Sequence, residues 1–470
     1  MNKTKNTSYK SYPKYKDSGL TWLGEMPSHW EIDPGLAAFS TKKEKNIGLR
    51  ETTVLSLSYG RIVVKPPEKL HGLVPESFET YQIVNPGDII IRSTDLQNDW
   101  NSLRVGLVED RGIITSAYIC LKTKDRMIPA YCHLLLHSYD LMKIFYGMGS
   151  GLRQNLDWSD FKRLPVLIPS LDEQKTIVFF IKMTSKKIAR FIKSKRRLIE
   201  VLKEQKLVII NHAVTKGIDP NVKLKPSNVD YLGDIPEHWE IIPLRRVSKI
   251  IKTGGTPSGA DEKYYSDKGF NWYTPGDFKD ELVLSKSKRQ LSDLGKEQVV
   301  IFPPNTVMTI GIGATIGKVA IAKDYSSCNQ QINAIILNEK TIPEFVAYYL
   351  RCLRDYIIAC GKYTTLPIIN QQETKKLPIF LPPMKEQHEI IQFINDRCKG
   401  TDAAISRAER QIELIREYRI RLISDVVTGK IDVRDIPVGQ VEGIEEIDEL
   451  DEIQESEELT ELQEVTDADD

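Results

Sequence analysis

His29-Trp30-Glu31 and His238-Trp239-Glu240 set an imidazole beside a carboxylate twice in one chain of 470 residues. Such a pairing is the usual material of general acid–base chemistry, so the repetition first suggests two active sites. Three other stretches invite a catalytic or metal reading. Cys132, His133 and His137 in "YCHLLLHSYD" could begin a metal cluster, but no second ligand pair follows at zinc spacing, and the segment reads as an ordinary helix. "GIGATIGKVA" imitates a phosphate loop and fails twice: Ile312 stands where the first Gly belongs, and Val319 where Ser or Thr should follow Lys318. "DEQK" at 172–175 sits at a helix start, the wrong context for a nuclease Glu-x-Lys strand. No NPPY-like or FxGxG-like methyltransferase signature occurs. The chain therefore reads as non-catalytic, with no metal site.

Polar loops offer a different chemistry. The first half of the chain carries "RSTDLQNDWNSLR" (92–104) and "GSGLRQNLDW" (149–158). The second carries "KTGGTPSG" (252–259), "NWYTPGDF" (271–278), "CNQQIN" (328–333) and "GKYTTLPIINQQ" (361–372). Arg, Lys, Asn and Gln pair with base edges and phosphates, while Gly and Thr allow close backbone approach. The candidates for DNA contact are Arg92, Gln97, Asn98, Arg104, Arg153, Gln154 and Asn155 in the first half. In the second they are Lys252, Thr253, Gly255, Thr256, Tyr273, Lys318, Asn329, Gln330, Gln331, Lys362 and Tyr363.

Charge supports a polyanionic partner. Lys+Arg and Asp+Glu both number 65, yet residues 441–470 hold fifteen acidic groups and no basic one. The first 440 residues thus carry 65 basic against 50 acidic groups, a basic body with an acidic tail that reads as solvated and disordered. No run of 18 apolar residues exists and the N-terminus is polar and basic, so a soluble, cytoplasmic protein without a membrane partner is expected. Six widely spaced cysteines without a CxxC pair fit a reducing compartment.

The elements that must position these loops come as a repeat. WLGEMPSHWEI (22–32) and YLGDIPEHWEI (231–241) agree at seven of eleven positions, at an offset of 209. LPVLIPSLDEQ (164–174) returns as LPIFLPPMKEQ (377–387) at an offset of 213, which also carries Thr215 of TKGID onto Thr428 of TGKID. Insertions must therefore fall between the two phrases. Steps of three and four from Val178 pass through Ile181, Ile188, Ile192 and Leu202. The same steps, 213 residues on, pass through Ile394, Ile405, Ile412 and Ile415. This heptad seam, about five heptads long in each copy, predicts two long coiled-coil helices. Packed on each other in one chain they run antiparallel; an oligomer's bundle core is the alternative. A helix of about 40 residues is roughly 60 Å long, enough to separate two reading heads by more than one DNA turn of about 34–36 Å. Residues 33–163 and 242–376 read as α+β, short β-rich runs closed by a helix. Trp30 and Trp239 read as apolar anchors where each such domain meets the helical frame, and His29 and His238 as structural.

The double GxPxHWE phrase, the IPxxxEQ helix starts, the TKGID and TGKID ends and GGTPS at 254–258 resemble the specificity subunit of type I restriction-modification enzymes, over residues 15–436. The resemblance implies two target recognition domains, each reading one half of a split double-stranded DNA sequence, with the helices as the ruler for the unread gap. It implies docking of two methylation subunits that carry S-adenosylmethionine, and through them of restriction subunits that use ATP and Mg, with no cofactor in this chain. Its layout would be a lead-in segment and first recognition domain (1–163), a spacer helix (164–219), a lead-in and second domain (220–376), a second spacer helix (377–436) and the acidic tail (437–470). Basic residues such as Lys186, Lys187, Arg190, Lys193, Lys195, Arg196 and Arg197 would face phosphates or the methylation subunits, or form a solvated face. The rival reading is a coiled-coil adaptor for protein partners with no DNA sequence preference.

Overall fold

A computed structural model describes residues 9–66, 77–100, 102–148, 155–229, 232–258, 261–360, 362–363 and 367–436. The acidic tail and the candidates Arg153 and Gln154 lie outside them. The chain forms two compact units, one of Met1–Ser194 with Arg410–Asp470, the other of Lys195–Glu409.

In the first unit, β1 (Tyr15–Asp17) pairs with β2 (Glu25–Pro27), and β3 (Glu31–Pro34) leads into the domain. A four-stranded sheet follows, built from β4 (Phe39–Thr41), β5 (Ile89–Ile91), β6 (Val105–Leu107) and β7 (Ile119–Thr123) in the order β4-β7-β5-β6. Helix α1 (Pro129–Leu141) closes it, and β8 (Pro165–Ile168) returns to pair antiparallel with β3. The three isoleucines of β5 are all fully buried, as an interior strand's continuous apolar run requires.

The second unit repeats this plan. It has β9 (Leu224–Pro226) paired with β10 (Asp234–Pro236), then β11 (Glu240–Pro243). Its sheet takes β12 (Ser248–Thr253), β13 (Thr306–Ile310), β14 (Val319–Ala322) and β15 (Ile332–Leu337) in the order β12-β15-β13-β14. The closing helix is α3 (Pro343–Cys352), and β16 (Pro378–Leu381) pairs with β11. Each of the eight strands labelled in the first unit thus has its counterpart eight labels later; the pairs Leu55–Ser58 with Arg61–Val64 and Gln82–Val84 with Gly112–Ile114 are additional to this plan.

The expected long helices are α2 (Leu171–Lys216) and α4 (Met384–Val427). Acidic residues sit in their first turns, where the helix dipole favours them. Gly217 and Gly429 follow the last turns in the left-handed conformation, at φ +75° and +78°. Every residue of the seam is buried or half-buried: Ile181, Ile188, Ile192, Ile394 and Ile412 are buried, and Leu202, Ile405 and Ile415 are half-buried. Each unit takes opposite ends of the two helices into its own core. In the first, Ile177, Phe180 and Ile181 at the start of α2 share a cluster with Leu422, Ile423 and Val426 at the end of α4. In the second, Ile210, Ala213 and Val214 at the end of α2 share one with Ile390 and Ile394 at the start of α4. Opposite ends meeting in this way is the packing of an antiparallel pair.

The repeated phrase explains how each domain is mounted. Glu173, in the first turn of α2, accepts hydrogen bonds from Trp30 Nε1 at 2.9 Å and Tyr12 Oη at 2.6 Å, and its second oxygen lies 3.0 Å from His29 Nε2. Glu386, in the first turn of α4, accepts from Trp239 Nε1 at 3.1 Å and lies 2.8 Å from His238 Nε2. The neighbouring glutamines act alike. Gln174 accepts from the Ile128 amide and donates to the Arg126 and Pro169 carbonyls, as Gln387 does with Ile342, Lys340 and Pro382. The imidazole–carboxylate pairs are therefore fasteners between a domain's first strand and a helix start. Both indoles are fully buried, which fits the anchor reading. In the first unit Tyr12 and Arg434 cover the fastener, the Arg434 guanidinium lying 4.9 Å above the Tyr12 ring, and burial and the Glu173 carboxylate push the Tyr12 hydroxyl well above the usual range.

Candidate nucleic-acid interface

The loops proposed as readers emerge at one edge of each sheet. In the first unit the chain between β5 and β6, residues 92–104, is pinned at its base: Arg92 N donates to the Arg104 carbonyl, and Leu156 N to Ser93 O. Asn155 Oδ1 accepts from Asp95 N at 2.9 Å, so the 92–104 and 155–158 segments meet. Leu96 plugs the core while Gln97, Asn98 and Trp100 stand exposed. Asp95 is left-handed at φ +60° and is held by Asn98 Nδ2 at 2.8 Å. Trp100, 53% exposed, stacks on Tyr146 with ring centroids 4.5 Å apart. Arg92 is half-buried, bonded to Ser102 Oγ and 3.3 Å from Asp99. Burial alone would raise the Asp99 carboxyl. Hydrogen bonds from Ser102 and the guanidiniums of Arg92 and Arg104 outweigh it, and the group sits below the usual carboxylate range.

Arg104 needs correction as a base reader. Its side chain is fully buried, and its guanidinium faces inward to the loop's own backbone. A charged group buried without those acceptors would be strongly unfavourable, so the fold consumes its hydrogen-bonding capacity internally.

In the second unit four segments converge. Gly254 N donates to Ile332 O and Gly255 N to Cys328 O, bringing the end of β12 against the 328–332 turn. A Cβ on Gly254 would lie 2.2 Å from the Cys328 carbonyl oxygen, so glycine is required there. Thr256 Oγ1 hydrogen-bonds Gln330, and Asn329 Nδ2 donates to Gln331 Oε1 at 2.9 Å. The β13–β14 loop joins through Gly311 N, which donates to Gln331 O, while Ile369 N donates to Gly311 O. Buried Asn333 ties Thr253, Ile369 and Thr374 together. Lys252, Thr256 and Gln330 are exposed at this edge, and Gln331 and Gly255 half-exposed.

Three expectations here change. Tyr273 is 2% exposed, its hydroxyl pushed up to about 12 by burial and the Asp277 charge, and it belongs to the core. Asn329 is buried and orders the turn through its own Gln331. Lys318 is half-buried and donates to the Phe278 carbonyl at 3.3 Å. Lys362 and Tyr363 form a short strand against Pro367–Ile368; their side chains lie outside the described residues.

Equivalence of the two sheets exposes positions that residue type did not mark. Ser93 Oγ donates to Ala117 O just as Gly311 N donates to Gln331 O, so residues 115–117 occupy the place of 329–331. Ser116 and Ala117 are exposed there, and nothing in "TSAY" distinguishes it from an ordinary turn. Among the described residues no group of three or more His, Cys, Asp and Glu could hold a metal. His133 and His137 are half-buried on α1. No helix among them is long and apolar enough to cross a membrane.

These two sheets, each with a loop cluster at the same edge and a fastened long helix, define a chain with two domains of one fold. Residues 236–414 match the family described as the Type I restriction modification DNA specificity domain. The chain is 24% identical over 445 residues to the putative type I restriction enzyme MjaX specificity subunit of Methanocaldococcus jannaschii, covering 89% of this chain and 98% of that one. It is 24% identical over 375 residues to the MjaVIII specificity subunit of the same organism, covering 74% and 82%. A solved chain from work on the complex assembly and conformational transition of the type I R-M system superposes with a TM-score of 0.58 at 16% identity, over 86% of this chain and 99% of that one. Over most of its length the chain is thus similar to specificity subunits of type I restriction enzymes, and it shares the fold of the solved chain.

Proposed function

We propose that this chain is a specificity subunit that recognises a bipartite double-stranded DNA sequence, each unit reading one half. The carrying observation is the contrast between frame and loops. The Trp–Glu fasteners and the order of the four-stranded sheets repeat between the units, whereas at the same sheet edge one unit presents Gln97, Asn98 and Trp100 and the other Lys252, Thr256 and Gln330. A frame held constant around chemically different loops is what two readers of different half-sites require. α2, at 46 residues, and α4, at 44, would set the unread gap between the halves.

The same helices would dock the methylation subunits, and through them the restriction subunits, with S-adenosylmethionine, ATP and Mg held by those partners. Because the seam isoleucines are covered, docking falls to the exposed apolar residues: Leu198, Val201 and Val208 on α2, Leu414, Tyr418 and Ile420 on α4. The exposed Lys187, Arg190 and Lys193 supply positive charge for phosphates or for those partners.

Methylome sequencing of cells with and without this chain tests the reading, since a methylated split motif reports both halves and the gap. Exchanging residues 242–376 for another family member's second domain should change one half only. Inserting one heptad into either helix should lengthen the gap and leave both halves intact. Sequence-indifferent DNA binding would favour the adaptor instead.

A further inference from the structure

All five N–H donors of Arg104 are consumed, four by the loop it terminates and one by Tyr146. Nε donates to Tyr146 Oη at 3.1 Å. Nη1 donates to the carbonyls of Arg92 at 3.3 Å and Thr94 at 2.8 Å, and Nη2 to those of Asp95 at 3.2 Å and Asp99 at 2.6 Å. The Arg104 amide is itself held by Asp140 Oδ2 at 2.6 Å. A guanidinium carries five donors in a fixed planar fork and no acceptor, so a saturated fork dictates where each of those carbonyls must lie. Four of the five acceptors are backbone oxygens of residues 92–99, the segment that presents Gln97 and Asn98. The fifth, Tyr146, is the ring on which Trp100 stacks.

The second unit shapes its equivalent loop by other means. Between β13 and β14 the loop is shorter, and Gly313 and Gly317 take φ +104° and +79°, backbone conformations that glycine adopts without strain. Lys318, at the position of Arg104, spends its ammonium on the Phe278 carbonyl, outside the loop. The first unit's loop lacks glycine throughout 92–104 and is instead wound around a buried cation.

We infer that Arg104 is a positioning residue for sequence specificity: its buried guanidinium fixes the 92–104 loop in the one shape that presents Asn98 and Trp100 to DNA, and it never touches DNA itself. This rests on the first unit being a reader of one half-site. Loosening the loop then blurs what the first unit reads. It leaves the second unit's reading and the gap as they are, because neither depends on these carbonyls.

The test is methylome sequencing of the host expressing the full chain as Arg104→Met, Arg104→Lys, Asn98→Ala or Trp100→Ala, alongside thermal unfolding of each purified chain. Arg104→Met is expected to make the first half-motif degenerate at one or more positions, each by about tenfold or more in preference, with the second half and the gap unchanged. Arg104→Lys, with three donors and no fork, should restore only part of the preference. Asn98→Ala and Trp100→Ala, both at exposed positions of the loop, should blur the same half-motif. The inference is overturned if Arg104→Met leaves the first half-motif sharp. It is equally overturned if Asn98→Ala and Trp100→Ala both do so, whatever Arg104→Met does to folding. A wild-type chain that directs no split motif at all would instead overturn the proposed function.

Discussion

The Trp30 indole donates to Glu173 at 2.9 Å, joining the first strand of one domain to the opening turn of α2 across 143 residues of chain. The Glu173 side chain is 3% exposed and takes two further polar partners, Tyr12 and His29. Its counterpart Glu386 is 21% exposed and has no tyrosine partner among the described residues. Glu173→Ala strands buried donors and should destabilise the first unit by about 2–4 kcal/mol, whereas Glu386→Ala should cost roughly half as much. Hydrogen exchange resolved by unit, over a denaturant series, reads both. Equal losses would mean that burial of the carboxylate does not decide the strength of the fastener.

The helix-terminating glycines should differ as well. Both have positive φ, a cost of about 1 kcal/mol for any other residue. A Cβ on Gly429 would meet Pro27 Cδ at 2.4 Å and the Trp30 ring at 3.2 Å, but one on Gly217 meets Glu386 Oε1, the end of a side chain, at 3.2 Å. Gly429→Ala is therefore expected to lower the unfolding midpoint clearly more than Gly217→Ala. The reverse order would show that the proline contact relaxes freely.

Acid should act on the first unit before the second. Burial holds His133 and His137 to about 4, below the ordinary histidine value, with His137 adding to the effect on His133 and Arg419 to that on His137. Their Nε2 and Nδ1 atoms, respectively, are buried without a hydrogen-bond partner. Above pH ~6.5 both states hold these rings neutral and stability is unaffected. Between pH ~6.5 and ~4 the unfolded chain binds the extra protons, so stability falls as pH falls, by up to ~3 kcal/mol for each ring. Replacing both with apolar residues of similar size should flatten this slope, measured by denaturant midpoints from pH 7 to 4; an unchanged slope would assign the acid sensitivity to other groups.

At the second unit's edge, Gln330→Ala removes an exposed amide that hydrogen-bonds Thr256. Discrimination at one position of the second half-site should drop by about 1–3 kcal/mol, with the first half untouched. Competition binding against single-base variants measures it, and a uniform loss over all sequences would reassign Gln330 to backbone contact.

What was legible in the sequence followed from local rules. The seam from Val178 onward repeats within a few residues, and the structure covers every position of it. The HWE and EQ phrases were both visible as repeats. That Trp30 meets Glu173 and Trp239 meets Glu386 was not, because the partners stand 143 and 147 residues apart and nothing local joins them. The same limit misplaced Arg104 and Tyr273. Residue type nominates a guanidinium or a phenol for DNA, but whether it points outward depends on distant residues, such as Tyr146 and Asp140, that fold back to meet it. Sheet order was illegible for the same reason, and it alone gave residues 115–117 their equivalence to 329–331.

In each unit the strand that leads into the domain and the strand that leaves it are hydrogen-bonded neighbours, with Glu31 opposite Ile168 and Pro34 opposite Pro165, and Glu240 opposite Leu381 and Pro243 opposite Pro378. A segment whose two ends are already tied side by side can gain or lose residues without shifting anything outside the tie, since lengthening a closed loop adds little entropy. The growth of the repeat offset from 209 to 213 falls wholly inside that tie. The architecture thus behaves as a socket, indifferent to the size of what is plugged into it, and new specificities can arise by insertion and deletion as readily as by substitution.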